Sequence, residues 1–171
     1  MIDPEFIDQI KLLVLDVDGV MTPGHVVLDG HGRETKTFHV RDGLAIKVWM
    51  ALGNHVAIIT ARRSMAVIHR ARELGVPHVH TGVQNKVATF VSVLEELGLQ
   101  ADETAAIGDD LQDLALLRMA GYAMTVADAA LEVREIADYV TSRPGGHAAV
   151  REAIEHLLKE QDRWDDVVAQ F

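Results

Sequence analysis

Asp16 and Asp18 stand two residues apart in Asp16-Val17-Asp18-Gly19-Val20, directly after the apolar run Leu12-Leu13-Val14-Leu15. Two carboxylates at the mouth of a buried strand repel each other in a poorly solvated place, so a cation between them is expected, and with it chemistry on an anion. Later segments carry complementary groups: Thr60 after His55-Val56-Ala57-Ile58-Ile59, Lys86 opening a helical pattern, and Gly108-Asp109-Asp110 followed by Asp113. Gathered at neighbouring strand ends, these are the parts for phosphoryl transfer. Asp16, Asp18 and Asp109 are the candidate oxygen ligands of a hard divalent ion such as Mg2+, which keeps waters and leaves room for a substrate. Asp16 is the candidate nucleophile, because a carboxylate divides hydrolysis into formation and breakdown of an aspartyl-phosphate. Asp18 would protonate the leaving alkoxide and later take a proton from water. Thr60 and Lys86 would hold the nonbridging oxygens. Asp110 is expected to cap or support from behind, and Asp113 to orient Lys86.

Taken singly, each group has a plainer reading. An acidic pair caps helices, Thr60 suits a strand, and Lys86 suits a solvated helix start. Only their joint occurrence favours chemistry.

Positioning them requires a particular order of elements. Short apolar runs at 12 to 17, 55 to 60, 77 to 80, 104 to 108, 122 to 126 and 138 to 141 read as strands. Helical periodicity fills 43 to 52, 64 to 74, 85 to 97, 111 to 120, 129 to 136 and 147 to 160. The alternation predicts an α/β fold with a doubly wound, Rossmann-like parallel sheet. One insertion interrupts it: Val26-Val27-Leu28 and Thr35-Lys36-Thr37-Phe38 flank Asp29-Gly30-His31-Gly32, a β-hairpin flap within about 22 to 40 whose glycines can take positive φ. From Trp164 to Phe171 runs an amphipathic tail, expected to be disordered alone or docked on a neighbour.

The 171 residues suit one domain, able to bury roughly 70% of its unfolded surface. Sixteen basic against 26 acidic residues give a net charge of −10, which opposes binding to nucleic acid or an acidic membrane. A small-molecule partner is the expectation. The absence of cysteine excludes disulfides and thiolate metal sites. No apolar run approaches the ~18 residues of a membrane helix, and the first residues lack a signal pattern; a soluble, cytoplasmic protein is expected.

On these four motifs, taken in order, the chain resembles the haloacid dehalogenase superfamily of phosphatases. It is similar in particular to the small cap-less branch of 3-deoxy-D-manno-octulosonate 8-phosphate phosphatases, through Phe38-His39-Val40-Arg41-Asp42-Gly43-Leu44, Ile59-Thr60-Ala61-Arg62-Arg63-Ser64, Gly82-Val83-Gln84-Asn85-Lys86, Ala127-Asp128-Ala129 and Gly145-Gly146-His147-Ala148-Ala149-Val150-Arg151-Glu152. The resemblance runs from about residue 10 to 160. It implies Mg2+-dependent hydrolysis of a phosphorylated sugar acid by a homotetramer whose hairpins pack together and whose sites neighbouring subunits complete. Arg41, Arg62 and Arg63 then become candidate contacts to substrate carboxylate and hydroxyls. Arg41 has a second reading, an ion pair with Asp42 that fixes the flap to the helix. The sequence departs from the branch at Pro23, Ala61, His147 and Ala148; the last stands where glycine is usual.

Three rival readings remain. A nine-carbon keto-sugar-acid phosphate is the nearest alternative substrate, disfavoured by Arg62 and Arg63. A phospho-acceptor signalling domain uses similar groups, but there the adjacent acidic pair comes first; here Asp109-Asp110 comes late. A noncatalytic oligomerisation module would not need every chemical group. His78 and His80 share one side of a strand without a third ligand, short of a transition-metal site.

Overall fold

The computed structural model describes residues 7–171. Leu12–Leu15 forms β1, buried along its whole length at the centre of a six-stranded sheet. An unbroken apolar run is what a strand covered on both faces needs. Parallel to it lie β4 (His55–Thr60) on one side and β6 (Thr104–Ile107) on the other, with Leu15 level with Ile58 and Ile107. Beyond β4 lies β5 (His78–Thr81); beyond β6 come β7 (Tyr122–Thr125) and β8 (Tyr139–Val140), giving the order β5-β4-β1-β6-β7-β8.

The chain moves outward from β1 through α1 (Val40–Ala51) and α2 (Met65–Leu74), then crosses back through α3 (Lys86–Leu97) and continues through α4 (Leu114–Leu117) and α5 (Leu131–Arg134). Right-handed crossovers send the two groups of helices to opposite faces, which is the doubly wound arrangement. α6 (Ala149–Glu160) returns to pack on α1, burying Val150, Ile154, Leu157 and Leu158. The direction of winding reverses about β1, so a crevice opens beyond its carboxyl end, where Asp16 sits.

Several boundaries differ from the sequence expectation for local reasons. α1 begins three residues earlier than 43 because His39 caps it, its Nδ1 accepting the Arg41 N–H at 3.2 Å. The helix expected over 111 to 120 is a 3₁₀ turn, Leu111–Asp113, leading into the four-residue α4, and the one over 129 to 136 shortens to α5. The tail forms α7 (Trp164–Val168) on its own chain: Val167 is buried, and the Arg151 guanidinium lies 4.8 Å from the centre of the Trp164 ring. Ala148 caps α6 at φ 70, a left-handed conformation that costs a non-glycine residue roughly 1–2 kcal/mol. No helix among the described residues is long and apolar enough to cross a membrane.

The flap is smaller than expected. β2 (Val27–Leu28) pairs antiparallel with β3 (Glu34–Thr35), and the Asp29 carboxylate closes the turn by accepting the His31 and Arg33 N–H groups at 2.8 and 2.9 Å. The ladder stops at Thr35, and the next residue, Lys36, reaches Asp18 and Glu34.

Candidate active site

Asp16 continues β1, its N–H bonded to the Ile107 carbonyl at 3.0 Å, while Asp109 comes just after β6 on the adjacent strand. Lys86 opens α3, a helix capped by Asn85 Oδ1 accepting the Ala88 N–H at 3.1 Å. A cation at a helix N-terminus opposes the helix dipole. Two carboxylates outweigh that: Lys86 Nζ donates to Asp16 Oδ1 at 2.6 Å and to Asp113 Oδ1 at 2.5 Å, with all three side chains buried. The other Asp113 oxygen accepts the N–H groups of Asp109 at 3.2 Å and Asp110 at 3.3 Å. Asp110 turns away and caps the 3₁₀ turn through the Leu111 N–H.

Burial pushes the Asp16 carboxyl up to about 7, with repulsion from Asp113 adding to it and Lys86 opposing it. Burial likewise raises Asp109 to about 7, reinforced by Asp16, Asp113 and Asp110. Burial works against the Lys86 ammonium, but the Asp16 and Asp113 carboxylates overcome it and leave its pKa above the usual lysine value. The site therefore holds more negative charge than one lysine balances.

One oxygen each from Asp16, Asp109 and Asp113 lie within 4.8 Å of one another. Both Asp113 oxygens are already engaged, whereas Asp16 Oδ2 and Asp109 Oδ1 are buried without a hydrogen-bond partner. Paired, partnerless carboxylate oxygens fit a hard divalent ion, and the donor set is all oxygen. Gly19 explains how they come so close: at φ 94 it lies against Asp109, and a Cβ there would stand 1.9 Å from Asp109 Oδ2.

Thr60 ends β4, buried on the strand next to β1. Asp18, expected among the metal ligands, stands outside the three-carboxylate group; Lys36 Nζ binds its Oδ1, and Arg62 Nε lies 3.8 Å from Oδ2. Arg62 also reaches Glu34, at 3.6 Å. Arg63 packs its stem on Gly82. Among the described residues Arg41 makes no ion pair with Asp42; it lines a separate cleft of about 680 Å³ with Leu44, Tyr139, Arg143 and Arg151, which none of Asp16, Asp18, Asp109, Asp110 and Asp113 borders. Asp42 instead accepts the Arg151 N–H at 2.8 Å. His78 has Glu96 at 3.5 Å, and neither His78 nor His80 joins a metal-competent group among the described residues.

Lys36 and Glu34 are the site residues that sequence reasoning missed. No local signal marks them, since Lys36 meets Asp18, 18 residues away, only through the fold.

A model of the haloacid dehalogenase-like hydrolase family matches residues 79–154. The 3-deoxy-D-manno-octulosonate 8-phosphate phosphatase KdsC of Escherichia coli K12 is 39% identical over 163 residues, covering 95% of this chain and 87% of that protein. The chain belongs to the haloacid dehalogenase-like hydrolase family. Among solved structures of the family, the 3-deoxy-D-manno-octulosonate 8-phosphate phosphatase of Moraxella catarrhalis, in complex with magnesium ion, phosphate ion and KDO, superposes with a TM-score of 0.95 at 39% identity, covering 98% of this chain and 97% of that one. The cobalt-bound phosphatase YrbI of Haemophilus influenzae superposes with a TM-score of 0.90 at 36% identity, covering 93% of each chain.

Proposed function

We propose that this hydrolase is a Mg2+-dependent phosphomonoesterase that acts on 3-deoxy-D-manno-octulosonate 8-phosphate through an aspartyl-phosphate on Asp16. The observation that carries the reading is the clamped carboxylate beside partnerless oxygens: Lys86 holds Asp16 Oδ1, while Asp16 Oδ2 and Asp109 Oδ1 await a cation. The Escherichia coli and Moraxella catarrhalis relatives, both named as 3-deoxy-D-manno-octulosonate 8-phosphate phosphatases and the latter holding phosphate and KDO, support the choice of sugar acid.

Asp16 and Asp109 would hold Mg2+, which when bound neutralises the charge that carboxylates and phosphate bring together. The Asp16 carboxylate attacks phosphorus as the ester P–O bond breaks. Asp18 delivers a proton to the departing sugar oxygen, then removes one from the water that attacks the phosphoaspartate, releasing inorganic phosphate and restoring Asp16. Lys86, fixed by Asp113, orients Asp16 and adds positive charge, with the Thr60 hydroxyl available to the nonbridging oxygens. Arg62 lies beside Asp18, and Arg62 with its neighbour Arg63 would suit the sugar carboxylate.

In this reading the enzyme is a homotetramer. Val26, Val27 and Leu28 leave more than half of their surface exposed along the flap, an apolar strip suited to packing against other flaps. Arg41, in its separate cleft, would meet substrate only across a subunit boundary.

The test is phosphate release from a panel of sugar-acid phosphates with and without Mg2+. The eight-carbon substrate is expected to turn over fastest, only with Mg2+, and Asp16→Asn to lose at least ~10⁴-fold in kcat. Undiminished turnover by Asp16→Asn overturns the mechanism, and faster release from the nine-carbon acid moves the substrate assignment.

A further inference from the structure

The four sequence motifs leave the Asp18 carboxylate to act alone, but in the fold it has a partner. Lys36 comes from the flap, 18 residues along the chain, and its Nζ is bonded to Asp18 Oδ1 and lies 2.5 Å from Glu34 Oε1. Its side chain is only 1% exposed, so this ammonium is withdrawn from solvent and substrate alike. A lysine that deeply buried is held by its carboxylates or it is destabilising. Asp18 Oδ2, in contrast, is buried with no hydrogen-bond partner, the Arg62 Nε standing off at 3.8 Å. One oxygen is tied back and the other is left for use.

We infer that Lys36 is the positioning residue of the proton-transferring carboxylate: by fixing Oδ1 it aims Oδ2 at the leaving-group oxygen. The inference rests on the proposed function and deepens it. In the first half-reaction the Asp18 Oδ2–H proton passes to the sugar oxygen as the bond from that oxygen to phosphorus breaks and the Asp16–phosphorus bond forms. In the second, Oδ2 recovers a proton from water as the water oxygen bonds phosphorus and Asp16 departs. Lys36 touches neither phosphate nor sugar; it limits the rotation of Asp18. The flap thereby completes the catalytic group.

A structural prop and a positioning residue differ in how their loss depends on the leaving group. The value of kcat/KM reports steps up to formation of the phosphoaspartate. An alkoxide needs protonation there, whereas 4-nitrophenolate leaves without it. Lys36→Met is therefore expected to lower kcat/KM for the sugar-acid phosphate by about 10²-fold, and for 4-nitrophenyl phosphate by no more than roughly threefold. Asp18→Asn should show the same selectivity, and Lys36→Met added to Asp18→Asn should cost little more, since both remove one function. Lys36→Arg, which keeps a cationic donor, should recover part of the loss on the sugar substrate alone.

Equal losses on both substrates, or a Lys36→Met effect that adds in full to Asp18→Asn, overturn the inference while leaving the phosphatase reading intact. Inactivity of the unmodified enzyme towards every phosphomonoester overturns both. If Lys36→Met does not fold, Lys36→Gln, which keeps a shortened stem and a neutral donor, is read on the same two substrates with the same decision.

Discussion

Two buried lysines in this molecule do the same electrostatic work in different settings. Lys86 stands between Asp16 and Asp113 where the parallel sheet ends, and Lys36 stands between Asp18 and Glu34 on a hairpin whose strands are two residues long. Around Lys86, every carboxylate is anchored by a central strand or by the turn after one, and the acids outnumber the cation. Around Lys36, Arg62 supplies a second positive charge, so the group balances itself. The first group is anchored on the sheet and short of cation; the second is matched in charge and hangs on a flap. The contrast suits a division of labour in which the sheet builds a metal and phosphate site and the flap aims the acid.

The largest break comes at Lys86. Lys86→Met leaves two buried carboxylates facing each other, and about 3 kcal/mol of stability should be lost in the metal-free protein, measured by urea unfolding at pH 8. A loss no greater than that of Lys36→Met would erase the distinction between the two lysines.

The second test is pH. Asp16 and Asp109 have folded pKa values raised to about 7, so the folded protein binds their protons more tightly than the unfolded chain. Their contribution is complete below the ordinary value of 3.8 and disappears as pH rises through about 7. The metal-free protein should therefore melt at lower temperature at pH 8 than at pH 5.5, and Mg2+ should restore more stability at pH 8, because it needs the deprotonated oxygens. Glu34 runs the other way. Its hydrogen bond from Lys36 holds its carboxyl below the usual glutamate range, so its contribution is present above 4.5 and is lost only as pH falls further. A thermal-melt series that is flat from pH 5.5 to 8, with no growth in the Mg2+ effect, would show that the two lysine groups are electrostatically alike.

The smallest expected effect is the stability change of Lys36→Met, about 1 kcal/mol, since Asp18 and Glu34 are partly open to water and Arg62 remains beside both. A loss of about 3 kcal/mol would make Lys36 a structural keystone instead of a positioning support.

Much of the Lys86 group is legible in the sequence because each part obeys a local pattern. Leu12–Leu15 and Thr104–Ile107 are apolar runs that suit only covered strands, and parallel strands deliver the residues at their carboxyl ends, Asp16 and Asp109, to one edge. The reciprocal cap of Asp110 and Asp113, which cuts the expected helix down to a turn and four residues, is less legible, since helical periodicity looks the same through a 3₁₀ segment. Asp42 reads as a partner of its neighbour Arg41 because its actual donor, Arg151 N–H, lies 109 residues away. Lys36 reads as one more polar hairpin residue, since nothing local marks it as buried.

From order and spacing alone, the chain determined that it is a doubly wound sheet, which strand ends carry the acids, and that a cation must join them, because strand burial and charge repulsion are local properties of residue type. Tertiary structure alone decided which oxygens are engaged and which are left without partners, that Gly19 must make room for Asp109, that α7 docks on its own chain, and that Lys36 reaches Asp18. Those outcomes depend on distances between segments far apart in sequence, and hydrogen bonds and ion pairs weaken steeply over a few ångströms.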